Sequence, residues 1–310
     1  MPSAGPLQLE QLTTITPRTP LQNTLRRLVR HRSVQVGALI LGFLIFVAVF
    51  APVLAPYDPI KVLTDVRPRI APCVHLLGCP AEQPEHFFGV DGNRRDLLSR
   101  IIYGSQLSLQ IGISTVTFAI VVGAVLGAVA GYGGGWVDNI IMRLMDVLLA
   151  FPSLLLSIAI VAVLGPGLIN ALLAIAFVSI PVYARIVRAS VLQVKELDFV
   201  AASRALGMSS FGILMAHVMP NALTPLIVQA TLGIASAILD AAALSFLGLG
   251  APPPTPEWGL MLGEERNSVF NAPHLVFFPG IAIMLTVLAF NLLGDGLRDV
   301  LDPRLSRKGP

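Results

Sequence analysis

A chain of 310 residues that is 55% hydrophobic and only 13% charged, with a mean hydropathy of +0.77, lies outside the range of water-soluble globular domains and requires several membrane spans. The formal net charge of +3 is spread over basic residues at the ends of apolar runs, which argues against a nucleic-acid partner. Enzyme signatures are missing too: none of Lys61, Lys195 and Lys308 follows a phosphate-binding glycine loop, and the HExxH and GxSxG patterns are absent.

Residues 1–34 are polar, carry Pro17 and Pro20, and end in the basic cluster Arg26, Arg27, Arg30, His31, Arg32, which the positive-inside rule keeps in the cytoplasm. Residues 35–55 form an apolar run near the ~20 residues a transmembrane helix needs, and its length marks a retained first span rather than a signal peptide. Residues 56–106 are then an extracytoplasmic loop. Its two cysteines, Cys73 and Cys79, flank a short turn where oxidation is permitted and are expected to form a disulfide. A metal site that adds His75 would lack a fourth ligand. The stretch from His86 to Gly104 reads as an amphipathic interfacial helix with Arg94, Arg95 and Arg100 at the membrane surface.

Residues 107–295 contain five more spans. The second, over 107–130, carries Gly123, Gly127 and leads to Gly131, a small-residue face suited to close helix packing. Gly131 to Trp136 lacks the spacing of a nucleotide loop and follows a span, which discards a nucleotide reading, while Arg143 and Asp146, three apart, can pair on one helix face. A third span is expected over 144–164, closed by Gly165, Pro166 and Gly167, and a fourth over 168–187, followed by Arg188 and Lys195. The fifth, over 222–247, presents a second small face at Gly233, Ala237 and Ala241. It also holds Asp240, an acidic group inside an apolar span, which costs at least about 2.5 kcal/mol unless it faces a cavity, a partner or the interface, where it would cap a helix. A last span over 275–293 precedes the tail 296–310, with Arg304, Arg307 and Lys308. Most of the 21 Lys and Arg fall on the side of the N-terminal tail, so both termini are expected in the cytoplasm.

Between the fourth and fifth spans lies the longest cytoplasmic segment. Asp198 suits an N-cap and Gly207 the left-handed position after a helix, which leaves about two turns over 198–207. So short a helix is marginal alone and must be held by something. Ala201, Ala202, Ser203 and Ala205 would let another surface approach closely, while Arg204 offers an orienting charge. Packing on its own chain and docking to a partner both satisfy this requirement.

The pattern Ala201-Ala202-Ser203-x-x-x-Gly207, nine residues, then His217-x-Met219-Pro220 resembles the EAA loop of binding-protein-dependent ABC importer permeases. Ala201 stands where that pattern has Glu, Ser203 where it has Ala, His217 where it has Ile and Met219 where it has Leu. The segments His86 to Gly104, Gly131 to Pro152, Leu244 to Gly259 and Asn291 to Pro303 are similar to the same family, and the resemblance runs from about residue 34 to 305. It implies a C-type permease subunit of a dipeptide, oligopeptide or nickel importer in the bacterial plasma membrane. The implied fold is all-α with six transmembrane helices, the type I importer permease fold, and 198–207 is its coupling helix. The implied assembly is a heterodimer with a second permease, two ABC ATPase subunits that carry ATP and Mg, and an extracytoplasmic binding protein. The chain itself would be non-catalytic and bind no cofactor or metal. Peptides are favoured over nickel because no His or Cys cluster lines the spans; an ion-coupled secondary transporter is the alternative of another class.

Overall fold

The structure, a computed structural model, describes residues 26–80 and 82–301. Most of the N-terminal tail and the basic residues Arg304, Arg307 and Lys308 lie outside the described residues. In chain order the helices longer than one turn are α1 (Arg32–Val49), α2 (Leu97–Gly133), α3 (Gly135–Leu149), α4 (Ser153–Leu164), α5 (Leu168–Val194), α6 (Asp198–Ala205), α7 (Ser210–Phe246), α8 (Trp258–Glu264) and α9 (His274–Leu301). Five of them, α1, α2, α5, α7 and α9, are long and apolar enough to cross a membrane. The fold is all-α.

The expected uninterrupted third span is corrected. α3 and α4 meet at a bend of 92°. Pro152 sits at the N-cap of α4, where its ring and its restriction of Phe151 oppose a continuous helix. The pair nevertheless makes one passage through the bundle. Lys195, just past α5, donates to the carbonyl of Gly131 near the end of α2 (3.2 Å), so those two helices finish at one end of the bundle. Gly167, just before α5, donates to the carbonyl of Leu249, just past α7, at the other end (3.2 Å). Between them α3 and α4 carry the chain across. α4 alone, at about 18 Å, is too short for a ~30 Å hydrocarbon core.

The second helix begins ten residues before its expected start, at Leu97. Asp96 caps it by accepting from the Ser99 amide (2.8 Å) and hydroxyl (2.7 Å). Residues 86–96 are therefore an ordered loop, not an interfacial helix, and Arg95 and Arg100 are 3% and 0% exposed instead of lying on a membrane surface.

The tightest seam joins α2 to α5. A Cβ on Gly123 would stand 2.7 Å from Cβ of Tyr183, one on Gly131 would stand 2.9 Å from Cβ of Val191, and one on Gly127 would collide with the Ala184 carbonyl. Hydrogen at these three positions lets the backbones meet, which supplies dispersion contact where lipid offers no hydrophobic gain. Gly233 of α7 lies against the Tyr183 hydroxyl from the other side, and Ala237 is buried one turn on. Tyr183 thus fills the space where the three helices converge.

Arg143 and Asp146 do not pair. Asp146 accepts from Arg185 of α5 (2.5 Å) and Arg143 is exposed. Arg188 reaches both oxygens of Asp138, fastening α5 to α3 a second time.

At the opposite end, residues 56–96 interlock with residues 247–273. Arg95 bonds Asp91 (2.6 Å) and Glu264 (2.8 Å), while Arg100 donates to the carbonyls of Pro254 (3.1 Å) and Thr255 (3.3 Å). Glu265 accepts from the Gly92 amide (2.7 Å) and from Arg69 (3.1 Å). Cys73 and Cys79 are joined in a disulfide, with Cα atoms 5.4 Å apart.

Candidate docking surface

α6 starts one residue earlier than an Asp198 cap would require. Leu197 holds the N-cap position without a side-chain bond, and Asp198 is the first helical residue, its exposed carboxylate favourably placed at the positive end of the helix dipole. The C-terminus closes in a Schellman turn: Gly207, at φ +84°, donates to the Arg204 carbonyl (3.0 Å), and Met208 donates to that of Ser203 (3.1 Å). Nothing lies within 4 Å of where a Cβ on Gly207 would stand. Ser209 then caps α7 by accepting from the Gly212 amide (3.2 Å).

The resulting hairpin has two unlike faces. Val200, Ile213 and Val218 are fully buried in the cluster that also takes Val194 at the end of α5. On the open side Ala201, Ala202, Arg204, Ala205 and Gly207 are exposed, flanked by Leu206 at 89%, Phe211 at 72% and Met215 at 53% exposure. Lipid does not account for these apolar side chains. α7 is about 55 Å long, some 25 Å more than a bilayer core, and the polar residues Lys195, Glu196, Asp198, Arg204, Ser209 and Ser210 place its first turns in that surplus. Exposed apolar residues of this kind outside the hydrocarbon are a general feature of protein interaction surfaces.

The first turn of α7, Ser210–Ile213, runs into a π-turn over Leu214–Val218. Residues five apart on a regular α-helix lie about 140° apart around the axis, so the wider turn is what brings Ile213 and Val218 to the same buried side. It also sets His217 beside α6, with its Nε2 3.2 Å from the Ser203 hydroxyl. Sequence reasoning singled out Ser203 and His217 separately, as departures from a family pattern, and missed their contact.

Asp240 lies far from this surface, near the other end of α7. It is half-buried and makes no hydrogen bond or ion pair among the described residues. It caps no helix end, because α7 runs on to Phe246. No cluster of His, Cys, Asp or Glu able to hold a metal ion occurs among the described residues.

The bundle of long apolar helices defines an integral, multi-pass membrane protein. Residues 123–307 match the family described as the binding-protein-dependent transport system inner membrane component, and residues 19–72 match the N-terminal TM domain of oligopeptide transport permease C. The chain is 47% identical over 96% of its length, and 93% of the relative's, to the dipeptide transport system permease protein DppC of Alkalihalophilus pseudofirmus. It is 48% identical to the di/tripeptide transport system permease protein DppC of Pseudomonas aeruginosa (93% of each chain) and 45% identical to the glutathione transport system permease protein GsiD of Pectobacterium atrosepticum (93% and 92%). Among solved structures, an inward-facing form of the MetNI methionine ABC transporter shares the fold at a TM-score of 0.55 and 19% identity, over 66% of this chain and 98% of that one.

The chain belongs to the family of binding-protein-dependent transport system inner membrane components. It is a multi-pass protein of the bacterial plasma membrane with the type I ABC importer permease fold.

Proposed function

We propose that the chain is the non-catalytic permease subunit of an ATP-driven importer of di- or oligopeptides, and that α6 with the start of α7 docks on a partner ATPase. The observation that carries this reading is the open face around Ala202 and Leu206, small-residued at its centre and apolar at its rim, on a hairpin anchored from behind by Val200. ATP and Mg would act at two such ATPase subunits, a second permease would complete the path, and a binding protein would deliver substrate from outside. Peptide as cargo is supported by the names of the relatives. The orientation puts both termini and the hairpin in the cytoplasm. His31 and Asp299 lie 3.5 Å apart, which supports placing the start of the first span and the end of the last on one side, and a disulfide suits an oxidising outer compartment.

A photo-crosslinking amino acid at Ala202 in the assembled complex should capture the ATPase subunit, and Leu206→Asp should abolish dipeptide uptake while leaving the complex inserted. Capture of lipid or of no subunit, with full uptake by Leu206→Asp, would return the segment to an ordinary loop.

A further inference from the structure

Within the hairpin, among the described residues, one hydrogen bond links a side chain of α6 to a side chain of α7: that between Ser203 Oγ and His217 Nε2. The direction of this bond follows from its surroundings. Ser203 Oγ also lies 2.8 Å from the Phe199 carbonyl, which can only accept, so the hydroxyl hydrogen is used there. The hydrogen shared with His217 must come from the imidazole, with Nε2–H donating and Ser203 accepting. Both the neutral Nε2–H ring and the cation offer that donor. The Phe199 ring meets the same imidazole edge-on, with centroids 5.7 Å apart, and the Asn221 amide donates to the His217 carbonyl (2.6 Å) inside the π-turn. His217 is therefore fixed on its backbone side by α7 and on its ring side by α6.

The covalent link between the two helices is a poor lever by comparison. It runs through Leu206 to Ser209, turns at an unpacked glycine, and is largely exposed. A displacement of α6 could be absorbed there by rotation about Gly207. Beyond that turn, α6 is tied to α7 by burial of Val200 beside Ile213 and Val218, which resists separation but has no direction, and by the Ser203–His217 bond, which has one.

We propose that His217 is a positioning residue that latches α6 to the first turns of α7, so that movement of the docked ATPase is carried into the fifth span instead of being lost in the Gly207 turn. The proposal rests on the docking reading of the hairpin, and it assigns this coupling to a hydrogen bond made by the two side chains at positions 203 and 217. A coupling element must hold a defined geometry in each state if it is to bias an equilibrium between them.

The test uses the complete complex in proteoliposomes and reads peptide molecules taken up per ATP hydrolysed. Ser203→Ala and His217→Leu should each lower that ratio by about two- to tenfold, the range of a single net hydrogen bond. The double variant should be no worse than either single one, since both remove the same bond. His217→Gln, whose amide nitrogen reaches the place of Nε2 and donates, should restore the parent ratio, which a general loss of packing would not predict. The photo-crosslink from position 202 should persist in all four variants. Unchanged ratios, additive losses, or a His217→Gln protein as poor as His217→Leu would each overturn the latch while the crosslink keeps the docking reading intact. Absence of the crosslink in the parent protein would overturn both.

Discussion

At the end of the bundle that carries residues 56–96, Arg95 and Arg100 are buried against the carboxylates of Asp91 and Glu264 and a row of carbonyls, and a disulfide closes the neighbouring turn. At the other end α6 stands on one buried valine, one Schellman turn and one Ser–His hydrogen bond, with most of its surface open. Buried ion pairs add little net stability compared with an apolar core, but breaking one is costly because the survivor is left charged and dry. Such a network therefore fixes a geometry without tolerating alternatives. Sparse, exposed contacts do the reverse: they permit small displacements at low cost, which suits a surface that must follow a moving partner. On this reading one end of the molecule is a frame and the other a contact that transmits motion.

The sharpest way to break the comparison is at the frame. Arg100→Ala would remove a fully buried guanidinium, strip the Pro254 and Thr255 carbonyls of donors and leave Glu264 and Asp91 short of positive charge. It should lower stability by about 3–5 kcal/mol, seen as a large drop in the thermal midpoint of the detergent-solubilised complex. A midpoint within a degree of the parent would show that the network is peripheral and that the two ends do not differ in kind.

Much of the frame is invisible in the sequence, for a physical reason. A span is legible because a run of about 20 apolar residues has no other stable place, and the spacing of Gly123, Gly127 and Gly131 announces a close helix contact, although not the identity of α5 as the neighbour. Asp96 and Ser99, three apart ahead of an apolar run, were a readable cap that the amphipathic reading of residues 86–104 obscured. Arg100, however, pairs with Glu264, 164 residues away, and no local pattern reports such a distance. The bend at Phe151 and Pro152 was masked by apolar residues on both sides, so one long span was expected where two short helices meet. At the hairpin, the positive φ of Gly207 follows from local rules, whereas the facing of His217 depends on a π-turn that no periodicity signals.

A smaller effect on stability is expected at the hairpin. Gly207→Val places a β-branched side chain at φ +84°, a strain of about 1–3 kcal/mol, with open space around it. The strain is relieved by unwinding the last turn of α6, which costs the fold little because that turn is exposed. The complex should stay inserted and assembled, with a modest fall in thermal midpoint, while substrate-stimulated ATP hydrolysis and uptake fall together. Parent-like stimulation and uptake in the purified variant would mean that the angle of α6 carries no signal. The contrast with Arg100→Ala is then between loss of the frame and loss of transmission through an intact frame.

The finest distinction concerns a single proton in the frame. Glu257 caps α8, its carboxyl accepting from the amides of Gly259 (2.9 Å) and Leu260 (2.7 Å), and it is 2% exposed. Burial pushes its pKa above the ordinary glutamate value, against the opposing pull of those two amides and the Ser245 hydroxyl. A carboxyl raised in this way holds its proton more tightly in the folded than in the unfolded chain. Its contribution to stability is therefore complete below the unfolded value and is lost as pH rises through the folded value, with a slope of at most about 1.4 kcal/mol per pH unit between the two. Glu257→Gln keeps an acceptor for the cap but has no proton to lose. The difference in thermal midpoint between parent and variant should shift toward the variant as pH is raised through the window just above the ordinary glutamate value, and should be level on either side of it. A difference that stays constant with pH would show that the buried cap is ionised throughout, held by the two amides alone, and that α8 gains its rigidity from Gly259 and Gly263 lying against α7 and from Trp258 bonding the Ile101 carbonyl.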